Sequence, residues 1–210
     1  MNYWRLKTLL LTLWICATAF AENDDVNIKT HYKKGVFETE ATIISTASHK
    51  MMYEVILEID QHLRRLEIDS LKWATKDLSG KDVGKSLMQI EYNRGEYNQN
   101  TEVFNFFIDI FFMKKQFKNI KIAVLMKTDI ISNENPIIDV SLCDSDFFLK
   151  NAYGTLTTQQ TGDENQFIVK SSVRFGWFFN FFISTSNYSA IAEWRMQKFL
   201  ENMKAEAERR

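Results

Sequence analysis

The sequence predicts an α+β domain: a curved antiparallel sheet of about six to seven strands wrapped around a long C-terminal helix. Three observations predict it. The order of elements is strand, helix, a run of about half a dozen strands, then helix, and helices kept apart from an antiparallel sheet pack on one side of it. Breakers are scarce, with one Pro and seven Gly in 210 residues, so the elements are long and continuous. The last stretch, Asn187 to Glu208, contains neither Gly nor Pro. Its Tyr188, Ala192, Met196, Phe199 and Met203 are spaced to share one helical face.

The first element is not part of the fold. Met1 to Lys7 carries Arg5 and Lys7, Thr8 to Thr18 is apolar and uncharged, and Ala19-Phe20-Ala21 precedes Glu22-Asn23-Asp24-Asp25. A basic head, an apolar run and a small-x-small site form a secretory signal. A spanning helix needs roughly 20 apolar residues. Cleavage is expected after Ala21, leaving residues 22–210 as one domain in the periplasm or outside the cell. The 26 basic residues less Arg5 and Lys7 leave 24 against 27 acidic. That balance excludes a general nucleic-acid binder and gives no support to strong adhesion to anionic lipid. Cys16 leaves with the signal, so Cys143 becomes the single thiol and no internal disulfide can form. Its apolar surroundings (IIDVSLC) predict burial.

After a polar lead, Val36 to Ser45 alternates with Phe37, Thr39, Ala41 and Ile43 on one face and Glu38, Glu40 and Thr42 on the other, a half-buried strand. Ser48 caps a helix carrying Met51, Val55, Ile59 and Leu63 to Arg64 or Arg65. Leu66 to Leu78 reads as extended around Trp73, and Ser79-Gly80-Lys81-Asp82 as a turn. Strands follow at Ser86 to Tyr92, Thr101 to Phe112, Ile120 to Thr128 and Ile137 to Cys143, with a bend at Lys114-Lys115 and a turn at Ser132 to Pro136. Beyond an irregular piece holding Phe147 and Phe148, Tyr153 to Gln160 and Gln166 to Ile183 form a hairpin about Thr161-Gly162-Asp163.

The C-terminal half carries a resemblance. Asp144-Ser145-Asp146-Phe147-Phe148-Leu149, Tyr153-Gly154-Thr155-Leu156 and Val173-Arg174-Phe175-Gly176-Trp177, leading to Glu193-Trp194-Arg195 and Asn202, resemble the START-like (helix-grip, SRPBCC-type) superfamily. That superfamily includes START lipid-transfer domains, coenzyme Q-binding proteins and polyketide cyclase-like proteins. The likeness is of pattern and length over roughly residues 35–205. It implies a cavity for a hydrophobic ligand between sheet and C-terminal helix. The secretion signal and the Phe-rich TEVFNFFIDIFF strand depart from the family pattern.

No catalytic signature accompanies this pattern. His31, His49 and His62 form no metal-binding spacing, and there is no nucleophile elbow or phosphate loop. Asp139, Asp144 and Asp146 lack a calcium-loop pattern. No metal or cofactor is implied. Polar residues inside apolar strands are more informative, because a buried charge needs a partner or water. Asp109 shares a strand face with Phe107 and Phe111; it is either an outward-facing carboxylate or a polar anchor in the cavity, facing Arg174 or Arg195. Each Arg reads as a structural ion-pair partner or as a ligand clamp. Trp177 and the aromatic run after it line the cavity and reach its rim, where transient membrane contact would occur. Met196 and Phe199 supply the helix side of the ligand site.

The expected function is therefore an exported, non-catalytic carrier of a lipid or other hydrophobic small molecule. The alternatives are an envelope protein-interaction module with a filled core, or a cyclase/aromatase-type enzyme using Asp109 as a base.

Overall fold

The structure, a computed structural model, describes residues 26–78, 88–112, 115–129 and 135–210. The expected signal, the Ser79–Asp82 turn and most of the Ser132–Pro136 turn fall outside the described residues.

Two strands come first. β1 (Val26–Lys33) and β2 (Val36–Ser45) are joined by Lys34 and Gly35, both at positive φ (51° and 82°), the backbone of a two-residue hairpin turn. β2 keeps the expected alternation, with Phe37, Thr39, Ala41 and Ile43 buried. Next is α1 (His49–Arg64), whose Ser48 accepts the Met51 N–H at its first turn. Val55, Ile56, Ile59 and Leu63 bury its inner stripe. Leu66 to Leu78, expected to be extended, is instead a 3₁₀ turn (Ile68–Leu71) followed by successive turns, with Leu71, Ala74 and Leu78 tucked into the core. Their i, i+3, i+7 spacing suits helical turns rather than alternation.

Six strands follow: β3 (Met88–Asn98), β4 (Val103–Phe112), β5 (Lys115–Asp129), β6 (Ile137–Ser145), β7 (Leu149–Thr161) and β8 (Glu164–Phe175). All pairings are antiparallel. They give one eight-stranded sheet in the order β1-β2-β8-β7-β6-β5-β4-β3. The eighth strand, β1, lies in what the sequence suggested was a polar lead. Its residues alternate, but as an edge strand it buries none of them fully and most are exposed. The last strand ends at Phe175, short of the expected Ile183. Trp177–Phe182 forms a short helix, α2, and Thr185–Arg209 forms the long helix α3.

α3 buries Tyr188, Ala192, Met196, Phe199, Leu200 and Met203 and lies against β1, β2, β8 and α1, while α1 lies against β7. The far end of α3 is tied to β2, where Glu208 accepts from Ser45 Oγ and from the N–H and hydroxyl of Thr46. An antiparallel sheet whose first and last long strands meet, with the chain then turning back as a helix across its inner face, is a helix-grip arrangement. Here it carries one additional edge strand.

Candidate functional site

Two regions follow from this architecture: the inner face of the sheet, and the end of the molecule where α2 sits. Along β4 the buried set is Phe104, Phe106, Ile108, Ile110 and Phe112, and the alternate residues are half-exposed. Phe107, Asp109 and Phe111 therefore point away from the interior: of the two readings of Asp109 the outward-facing carboxylate holds, and Phe107 and Phe111 do not line a ligand cavity. Ile122, Val124 and Met126 of β5, with Ile138 and Val140 of β6, extend the inner face, and Thr128 of β5 meets Asp60 of α1 there. Aliphatic residues of α1, with Leu71 and Leu78, join these in one core cluster. An enclosed space of about 10 Å³ remains between Ile59, Leu63, Ile138, Val140 and Leu156, the scale of a single water. A polar point elsewhere on the inner face is Ser171, buried opposite Thr39. Its hydroxyl has no hydrogen-bond partner among the described residues.

Asp109 has a different role. The β3–β4 ladder slips between Tyr92 and Arg94, and the β4–β5 ladder slips between Ile108 and Ile110. Each slip is a β-bulge that leaves main-chain groups without ladder partners. Asp109 accepts from Asn93 Nδ2 at 2.7 Å on one side, and from the Asn119 N–H at 2.8 Å and Gln116 Nε2 at 3.2 Å on the other. Partial burial raises its pKa. The hydrogen bonds from Asn119, Asn93 and Gln116 and the nearby Lys118 outweigh that effect, holding the carboxyl below its ordinary value. This is opposite to the raised pKa a buried base needs. Phe107 lies under the Arg94 guanidinium, 3.8 Å from the ring centre.

The other expected site residues are dispersed. Arg174 is half-exposed on the outer face of β8 and approaches the β1–β2 turn at Gly35. Arg195 is half-buried on α3. Met196 and Phe199 do face the interior, as core side chains. Cys143, expected to be buried, is exposed, because β6 has a register slip there: Val124 pairs with Leu142 and Ala123 with Asp144.

At the end of the sheet, the β1–β2 and β6–β7 connections and the termini of β4, β5 and β8 converge on α2. Phe179 is fully buried and packs against Phe112, Phe117, Phe147, Phe148 and Phe178 at centroid distances of 5.0–5.8 Å. Gly176 sets the entry to this helix. A Cβ there would lie 2.0 Å from the Phe147 carbonyl oxygen, and its N–H donates to Phe148 O at 2.8 Å. Trp177 and Phe181, i and i+4 on α2, face outward and are 86% and 81% exposed. Trp177 thus stands at the rim and contributes nothing to the interior.

The signal for the true inner face was present. The outward set of β4 contains both Asn105 and Asp109, whereas the inward set contains no polar residue.

No protein-family model matches the sequence, and no curated protein matches it. Among solved structures, the chain is similar to an aromatase/cyclase (Zhui) from Streptomyces sp. R1128. That similarity is 12% identity over 83% of this chain and 95% of the other, with TM-score 0.45. It is also similar to a STAR-related lipid transfer protein from Xanthomonas axonopodis at 9% identity, 91% and 98% coverage and TM-score 0.44. A START superfamily protein from Mycobacterium smegmatis is similar at 8% identity, 82% and 97% coverage and TM-score 0.39.

Proposed function

We propose that the protein is an exported, non-catalytic carrier that shelters an apolar ligand between its sheet and α3. The observation that carries this reading is the inner face of β4, β5 and β6. Its buried residues are apolar, with Thr128 of β5 as the polar point that meets Asp60 of α1, and α1 and α3 make their main contacts with the other half of the sheet, at β1, β2, β7 and β8. A ligand enters there by parting Phe and Ile side chains, beside the Arg64 and Asp60 bonds that tie α1 to Tyr97 and Thr128. The unpartnered Ser171 hydroxyl offers one polar contact to a mostly apolar molecule. Export is supported by the basic head, apolar run and Ala19-Phe20-Ala21 of the sequence.

The test is native mass spectrometry and solvent extraction of protein isolated from the cell envelope. A co-purifying apolar molecule, bound at a fixed ratio and displaced by a fluorescent fatty acid, is expected. Failure to recover any such molecule, together with no binding of the fluorescent probe, would reject the carrier. A second reading, an interaction module with a filled core, is favoured by the one-water space between α1 and β6–β7. It predicts a stoichiometric protein partner and no lipid.

A further inference from the structure

We infer that the α2 end of the molecule is a docking surface for an anionic lipid bilayer. The inference goes beyond the carrier reading, because it concerns the outside of the fold and stands whether or not the interior takes a ligand.

Trp177 and Phe181 are almost wholly exposed, and the partly exposed Phe182 and Phe147 widen the patch (37% and 44%). A single exposed apolar residue is ordinary, but four large rings together make a contiguous patch of the kind that marks an interaction site. The patch is also held rigidly. Phe179 anchors α2 from below, Phe178 and Phe182 pack on Phe112, and Gly176 is locked under the β6–β7 turn. The two outermost rings, one turn apart on α2, both project outward from the surface. That shape suits a fluid apolar phase that can be entered, and Trp and Phe rings partition into the bilayer interface.

The surroundings select the lipid charge. Lys33 and Lys34 sit in the β1–β2 turn, Lys115 opens β5, Lys150 follows Leu149 at the start of β7, and Arg174 precedes Phe175. The four lysines are exposed, and no ion pair involves any of the five among the described residues. The nearest acids are engaged: Asp144 pairs with Lys121 at 3.4 Å, and Asp146 accepts the Lys121 N–H. The turns at the opposite end carry Glu102, Asp163 and Glu164. A chain with a net charge of −1 thus gathers unpaired cations around its exposed aromatic tip. Cationic side chains around interfacial rings are the complement of an anionic headgroup layer. No described helix is long and apolar enough to cross a membrane.

The test is co-sedimentation of the full chain with vesicles of phosphatidylcholine and phosphatidylglycerol (about 70:30), against phosphatidylcholine alone. Preferential binding to the anionic vesicles is expected, weakened at least about tenfold by W177A/F181A and by K33E/K34E, and weakened by salt. Brominated lipid should quench a Trp signal that is present in the wild type and missing from W177F. Both residues of W177A/F181A are exposed, so the variant should keep the wild-type melting temperature. Absence of vesicle binding, or binding unchanged in W177A/F181A, overturns the inference. So does a result in which W177A/F181A instead abolishes self-association or capture of a protein partner while vesicles never bind.

Discussion

The carboxylate of Asp109 bonds to Asn93 on one neighbouring strand and to the main chain of Asn119 on the other, at the two places where the ladders slip register. Its pKa in the folded state lies below the ordinary value of 3.8. It therefore stabilises the fold above the ordinary carboxylate range, and that contribution is lost as pH falls through the folded-state value. D109N should cost about 1 kcal/mol at neutral pH. The gap to wild type should narrow as the pH is lowered from about 5 to about 2, read by chemical denaturation across that range. A gap that stays constant would separate Asp109 from the acid response. At this scale the sequence was half legible. Met196 and Phe199 were placed inward by helical spacing, and the structure buries both. Phe107 and Phe111 were placed inward because aromatic rings suggest a core, yet strand parity overrides side-chain type, and the Asn105–Asp109 set had already marked that face as outer. The exposure of Cys143 had no signal, because a register slip between two strands leaves no trace in either one alone.

Among elements, β2, α1 and α3 were readable because each follows one period along its whole length, and Ser48 marks the start of α1. α2 was not. Trp177–Phe182 has strand-like composition, and a helix of 6 residues is too short to persist on propensity. It forms because Gly176 turns the chain beneath the Phe147 carbonyl and Phe179 drops into an aromatic socket. G176A places a methyl group where that carbonyl lies, so the β6–β7 turn or α2 must move, at a cost of about 1–3 kcal/mol. The expected signature is a lowered melting temperature with altered near-UV circular dichroism from the Phe cluster. Unchanged spectra and stability would show that the close approach at Gly176 constrains nothing. β1 escaped notice because an edge strand buries one face incompletely, although the alternation of Val26, Ile28 and Thr30 before Lys34-Gly35 was there to read.

For the whole molecule, one polar network joins α1 to the far half of the sheet. Arg64 reaches both carboxylate oxygens of Asp60 at 2.9 and 3.1 Å, and also Tyr97, Glu102 and Thr128. Asp60 is buried, so removing one partner strands the other. D60L and R64M should each destabilise by about 3 kcal/mol, and D60L/R64M by clearly less than their sum. A double-mutant cycle by urea unfolding measures this; strict additivity would mean the pair is not coupled. The overall architecture was predicted from element order, since a long final helix after consecutive strands has one inner face to cover. The packed interior could not be read, because it depends on how Phe side chains from separate strands meet. The unpaired lysines around the α2 tip described above give that end of the protein a local positive field. Near a negatively charged boundary such a body feels a torque before any contact. Its rotational diffusion becomes biased, and the first collision presents Trp177 and Phe181 instead of a random face.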